Sequence, residues 1–436
     1  MTDASTRNHS KVWLSGLFCL ALVLRITALV IYSDNLIDDR DAYLSIARHL
    51  AAGEGFSSTG RGPTAYRPPL YPLLLSAGGV VSSFDSESAL KYWVGGVNLC
   101  CELLMLGVLW RTLAVHVSRN AAFGGGLLVA VNPLLIYNVT LPMTETLCSL
   151  LVVCFVNSLA NADGTVRRQA VAGLWFGLCV LCRPTMWAFA GIWLLVSCPG
   201  CCRSGEWKEM VRRSVPAAVT TLLVIAPWIV RNAVAFGAFI PMTTHGGYTL
   251  LLANNEVFYT EVVEVSWRET WKGESLSRWQ TSLERQMKTD LEEPISETER
   301  NRWMTRQAIG TIRQNPVAFL KSCGVRFLRF WNLVPLEAEG RSTPRLVAIG
   351  MLAYGTVIYL GVLLSLRLVR SSRSALIGWC LIAAFTGVHL IYWSNLRMRV
   401  PLEPVLVMLA VLGMNAWRAR DKTGEQNLLN GKPQAA

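Results

Sequence analysis

The chain has 436 residues, 52% of them hydrophobic and 16% charged, with a formal net charge of +12. Apolar runs of span length recur from residue 12 to residue 418, which excludes a soluble globular protein and points to an all-α integral membrane protein. The basic excess is scattered over short connections rather than massed in one domain, so it argues for membrane topology and against a nucleic-acid partner.

Taken in chain order, about ten transmembrane helices are predicted, near residues 12–32, 90–110, 121–141, 144–161, 169–182, 184–200, 214–230, 345–366, 374–393 and 401–418. The fifth and sixth are shorter than the roughly 20 residues a hydrocarbon core requires, which suggests a tilted pair where the bilayer thins. Alternate connections carry Arg111, Arg119, Arg167, Arg168, Arg212, Arg213, Arg367, Arg370 and Arg373, whereas the opposite short loops hold Arg183, Arg397 and Arg399. The positive-inside rule then places both termini in the cytoplasm of a plasma (inner) membrane protein. Twelve cysteines mostly lie within apolar runs, where they behave as small hydrophobes.

Two segments break the hydrophobic rhythm, and both fall on the outer side. Residues 1–11 are a cytoplasmic N-terminus; 12–230 form an N-terminal bundle that includes the outer loop 33–89. Residues 231–344 make an outer loop or cap, 345–418 a C-terminal bundle, and 419–436 a cytoplasmic tail expected to be disordered. In the first outer segment Tyr43, Ile46, Ala47 and Leu50 fall at helical spacing, Asp39 stands where a cap belongs, and Gly53 supplies a stop. This predicts a short amphipathic helix on the membrane surface. Residues 68–82 are apolar but end at Gly78-Gly79, and are expected to form a partly embedded helix rather than a span. Arg25 sits mid-span, where a lone charge costs at least about 2.5–3.5 kcal/mol, so it must find a partner inside the bundle.

Several motifs resemble GT-C polyprenyl-phosphate-sugar glycosyltransferases: Asp39 four residues before Tyr43, the Ala47-Arg-His-Leu-Ala-Ala-Gly-Glu-Gly-Phe56 run, Thr64-Ala-Tyr-Arg-Pro-Pro-Leu-Tyr-Pro72 and Thr144-Glu-Thr146. Leu181-Cys-Arg-Pro184, Pro227-Trp-Ile-Val-Arg-Asn232, Gly246-Gly247 and Asn395-Leu-Arg-Met-Arg-Val-Pro-Leu-Glu-Pro404 are similar to stretches of the branch holding protein O-mannosyltransferases and lipid A aminoarabinose transferases. The resemblance implies transfer of a sugar from a polyprenyl-phosphate donor to a glycan, lipid or protein acceptor hydroxyl at the outer face, with inversion. Its partners would be that donor, that acceptor and membrane lipids. A transporter or flippase of lipid-linked sugar is the alternative.

By the same resemblance, Asp39 is the base and Glu145 the second acidic position, orienting acceptor or sugar. An acceptor hydroxyl is a poor nucleophile, and a carboxylate about 3 Å away is the least demanding way to take its proton. Asp39 could equally cap the helix that follows, and both roles can hold at once. Arg67 and Arg231 are assigned to the donor phosphate, with Arg183, Arg397 and Arg399 in reserve, because a guanidinium fork binds two phosphate oxygens and stays charged at the membrane edge; snorkelling to lipid headgroups is the plainer reading of each. Asp38, Asp41, Tyr43 and Tyr66 are assigned to substrate binding. No cofactor is expected, although Asp38, Asp39 and Asp41 lie close enough in sequence to hold a divalent cation through oxygen ligands.

Overall fold

The computed structural model describes residues 2–429 except 59–61, 82–85, 163, 205, 206, 270, 272 and 337–344. In order, the helices are α1 (Thr2–Ile31), α2 (Tyr43–Ala51), α3 (Leu70–Val81), α4 (Glu87–His116), α5 (Arg119–Ala130), α6 (Pro133–Asn138), α7 (Thr144–Ala160), α8 (Val166–Cys182), α9 (Met186–Ser204) and α10 (Trp207–Phe236). They continue as α11 (Gly246–Ala253), α12 (Glu256–Phe258), α13 (Gly273–Asp290), α14 (Glu297–Gln314), α15 (Pro316–Trp331), α16 (Arg345–Leu364), α17 (Arg373–Ile391) and α18 (Glu403–Leu429). Among the described residues there is no strand, and an isolated bridge pairs Ser57 with Pro63.

Among the described residues, six helical segments are long and apolar enough to cross a membrane: Val12–Ile31, Glu87–His116, Ser214–Phe236, Arg345–Leu368, Arg373–Ile391 and Leu396–Arg420. Shorter apolar helices, Thr144–Ala160 among them, complete the bundle. The protein is therefore an integral membrane protein. The central element is α7, most of whose side chains are buried; it lies against α4, α8, α17 and the turn that precedes α18. Helices α8 and α10 approach so closely that a Cβ on Gly173 would come within 2.2 Å of the Ala217 carbonyl oxygen, so a hydrogen side chain is required there.

The span expected over 121–141 is interrupted. Helix α5 stops at Ala130, and Asn132 starts α6 by accepting hydrogen bonds from Leu134 N (2.9 Å) and Leu135 N (3.1 Å), with Pro133 in the first helical position. This Asn-Pro pair is an N-cap written in sequence, overriding an apolar pattern that runs through it. Two more boundaries differ from expectation. Helix α10 continues to Phe236, placing Arg231 inside a span rather than at the start of the cap, and α18 runs beyond residue 418 to Leu429.

At the break Arg25 serves the last carbonyls of α5. Its guanidinium donates to Ala130 O (2.8 Å) and Val129 O (3.2 Å) while pairing with Glu102 Oε2 at 2.9 Å; both residues are 1% exposed. Arg25→Met alone is expected to destabilise the bundle by about 3–5 kcal/mol because Glu102 is left charged in an apolar interior, whereas Arg25→Met with Glu102→Met recovers much of the loss. Thermal unfolding of the purified variants in detergent checks this; a double variant no more stable than the single one would overturn it.

Residues 237–331 build a cap with an apolar core of its own, including Phe258, Trp271, Trp279, Met287, Trp303 and Ala308. Ser296 caps α14 reciprocally with Glu299, worth on the order of 1 kcal/mol. Two buried arginines of α15 fasten this unit: Arg326 donates to Ala253 O and Leu390 O, and Arg329 to Trp267 O and Glu269 O.

Candidate active site

The ends of α1, α8, α10 and α17 that lead into segments 33–69, 183–185, 237–245 and 392–402 share one end of the bundle with the start of α7, under the cap. Asp39 opens this site. Helix α2 begins at Tyr43 behind Ala42, whose φ of 60° is left-handed, and the Asp39 carboxylate reaches across that turn to accept from Leu44 N (2.9 Å) and Ser45 N (2.7 Å). The N-cap position is Ala42, and the capping hydrogen bonds expected of Asp39 are supplied from three residues ahead of it. Burial raises the Asp39 pKa above its ordinary value, and the two amide hydrogen bonds oppose the rise only in part. The result is a carboxylate more basic than a free aspartate and held rigidly.

A chain of alternating charge runs beside it. Arg67 Nη2 meets Asp41 Oδ1 at 2.7 Å and its Nε meets the Asp41 carbonyl at 2.7 Å. Arg397 lies 3.4 Å from the other Asp41 oxygen and places Nε 3.3 Å from Glu145 Oε1, which Arg183 also approaches at 3.6 Å. Five residues from four separate segments therefore form one network: Arg67, Asp41, Arg397, Glu145 and Arg183. Burial on its own would raise the Asp41 pKa, but Arg67 and Arg397 outweigh it and the net shift is downward. Glu145 is 2% exposed and its Oε2 has no hydrogen-bond partner, as is true of Arg183 Nη1. Buried polar atoms left open at a loop end have capacity for a polar ligand or ordered water.

Aromatic rings line the approach. The Arg67 guanidinium sits 5.5 Å from the Tyr43 ring centre and 5.0 Å from that of Tyr66. Burial pushes the Tyr43 phenol up to about 12 and that of Tyr66 higher, so both stay protonated. His245, absent from the residues expected at the site, stands immediately before Gly246-Gly247. Its ring packs edge-on against Tyr66 at 4.3 Å, its Nδ1 is buried without a partner, and burial followed by the positive field of Arg67 lowers its pKa to about 3. It is neutral at any physiological pH. A lone histidine before Gly-Gly carries little signal in one sequence, and only the folded loop shows what it adjoins.

The remaining predicted residues lie outside this network. Asp38 pairs with its neighbour Arg40 on the surface at 2.6 Å. Arg231, within α10, donates 2.7 Å hydrogen bonds to the carbonyls of Phe56 and Thr64 and lies over the rings of Trp228 and Phe56. Arg399 is buried against Glu403 (2.8 Å) and donates to Phe330 O and Asn332 O, joining α18 to the end of the cap. The three acids considered for a divalent cation diverge, to Arg40, to amide N–H groups and to guanidinium groups respectively. They do not fit a common cation, and no group of three metal-ligating side chains occurs among the described residues.

Beside the network lies a cleft of about 740 Å³ lined by Leu50, Phe56, Pro69, Leu73, Leu181 and Trp228, with Arg231 at its polar edge. Its Pro69 wall is two residues from Arg67.

No protein-family model matches the chain, and no curated protein matches it in sequence. Solved structures do match in fold. The archaeal oligosaccharyltransferase AglB from Archaeoglobus fulgidus, in complex with an inhibitory peptide and a dolichol-phosphate, superposes with a TM-score of 0.55 at 13% identity over 98% of this chain. The same enzyme tethered to an acceptor peptide gives 0.54 at 12% identity. This chain spans about half of that enzyme, 52% of its length. ArnT from Cupriavidus metallidurans bound to undecaprenyl phosphate gives 0.45 at 14% identity, over 93% of this chain and 78% of that one. The chain thus shares the fold of the membrane part it matches in that oligosaccharyltransferase.

Proposed function

We propose that this protein is a membrane glycosyltransferase that moves a sugar from a polyprenyl-phosphate donor to an acceptor hydroxyl on the outer face. The observation that carries the reading is the juxtaposition, at one end of a membrane bundle, of a rigid basic carboxylate, an arginine-rich network and an apolar cleft of lipid-tail dimensions. The cleft would take the polyprenyl chain, and Arg67 the phosphate; two of its nitrogens hold Asp41, which leaves Nη1 for a phosphate oxygen.

In a single displacement the acceptor oxygen attacks the anomeric carbon, and the bond from that carbon to the phosphate oxygen breaks. Asp39 takes the hydroxyl proton, and the lipid phosphate leaves with the bonding pair. Positive charge fixed where that anion forms stabilises the transition state. Glu145, held between Arg397 and Arg183, would orient a hydroxyl of the sugar or acceptor through its open Oε2. Attack from the face opposite the phosphate gives inversion.

The test is radiolabel transfer in membranes supplied with a panel of polyprenyl-phosphate sugars. Arg67→Ala is expected to lower kcat/KM for the donor by about 10²-fold or more, with little recovery in Arg67→Lys, whose single nitrogen cannot reproduce two bonds to Asp41 and one to a phosphate oxygen. Label that crosses the bilayer without leaving its carrier would make the protein a flippase and overturn the reading.

A further inference from the structure

One carboxylate of the cap gathers the loops that shape the site. Glu297, at the first turn of α14, accepts from Thr64 Oγ1 at 2.8 Å through Oε2 and from Ala65 N at 2.9 Å through Oε1, and Thr244 Oγ1 donates to the same Oε1. The bonds interlock: Thr244 N donates to Ala65 O (3.0 Å), Tyr66 N donates to Thr64 Oγ1 (3.0 Å), and the Thr64 carbonyl accepts from Arg231. One turn along the same face of α14, Asn301 Oδ1 accepts from Gly247 N at 2.7 Å. Here the two backbones nearly touch, since a Cβ on Gly247 would lie 2.3 Å from the Asn301 carbonyl oxygen. Residues 297 and 301 of one helix thus grip two loops. The first reaches Arg67 two residues beyond Ala65, and the second reaches His245 one residue beyond Thr244.

We infer that Glu297 is a positioning residue: through Thr64, Ala65 and Thr244 it sets Arg67 and His245 in register with Asp41, so that cap and charged network form one device. The inference rests on the proposed function for what Arg67 binds, though the mechanical coupling does not depend on it. A carboxylate suits the role because it is acceptor-only and can serve three donors at once. Glutamine would keep one acceptor oxygen and turn an N–H₂ group towards a donor, leaving an unmatched polar contact.

The experiment compares wild type, Glu297→Gln, Thr244→Val and the double variant as full-length protein in nanodiscs. It follows amide hydrogen exchange, the thermal midpoint and the binding of undecaprenyl phosphate. Glu297→Gln is expected to speed exchange in 62–67 and 243–248 about tenfold, the size of a lost charge-assisted bond, with protection in α7 and α8 unchanged. Lipid-phosphate binding should weaken several-fold at an unaltered thermal midpoint, and adding Thr244→Val should bring little further change, because both substitutions break one junction. Unchanged exchange in the two loops, fully additive effects, or a loss of protection throughout the bundle would each overturn the inference. Failure of wild type to bind undecaprenyl phosphate would instead sink the lipid-donor reading, while the exchange data still decide the coupling.

Discussion

Asp39→Asn is expected to lower transfer by about 10²–10⁴-fold, the usual contribution of a positioned general base. The same substitution should cost only about 1 kcal/mol in stability, since asparagine is as good a helix cap as aspartate and keeps an oxygen for one of the two amide donors at Leu44 and Ser45. The separation between a large kinetic loss and a small thermodynamic one is what distinguishes a base from a mere cap. Initial rates and melting curves on the same preparations measure both. An Asp39→Asn variant that turns over within about tenfold of wild type would remove Asp39 from the chemistry. The pH profile offers an independent reading. Because burial raises the pKa of this carboxyl above the ordinary 3.8, the base form is lost as pH falls through the raised value. The acid limb of kcat/KM should therefore lie above the range of an exposed aspartate and vanish in Asp39→Asn.

Arg397→Ala should produce the largest loss of stability at the site end of the bundle, about 3–5 kcal/mol. Its guanidinium is the cation shared by Asp41 and Glu145. Without it Asp41 still has Arg67, but Glu145, 2% exposed, keeps only Arg183 at 3.6 Å and one open oxygen. An uncompensated charge then remains in a nearly dry pocket. Adding Glu145→Gln should restore at least half of the fall in thermal midpoint. If Arg397→Ala melts with wild type, the pairing contributes nothing to the fold and the network is a weak surface contact of the kind that exposed ion pairs usually are.

What was legible in the sequence follows from how far each signal reaches along the chain. Apolar run length and helix punctuation are local, so the membrane class, α2 with its Asp39 cap and the short α3 could be read directly. Asp41 and Arg397, by contrast, are 356 residues apart, and no spacing rule joins them. Asp41 therefore looked like one of three neighbouring acids, when it is the member that enters the arginine network. Arg231 and Arg399 show the converse. Arg231 is assigned to the phosphate and Arg399 held in reserve; neither assignment shows the folded partners, which for Arg231 are two carbonyls and for Arg399 are Glu403 and two carbonyls. The break at Asn132-Pro133 had a visible cue that the surrounding apolar pattern masked.

That break also bears on how the chain is made. Arg25 on α1 is synthesised ahead of its partners: its carboxylate arrives 77 residues later and the carbonyls it satisfies 104 and 105 residues later. Until α4 and α5 stand beside it, α1 carries an unmatched charge at membrane depth. Its final tilt and depth are thus fixed only when three helices have met, and a nascent chain halted before Glu102 should hold α1 in a shallower seat than the finished protein does. Biogenesis of this bundle has a commitment point, written by one arginine of α1.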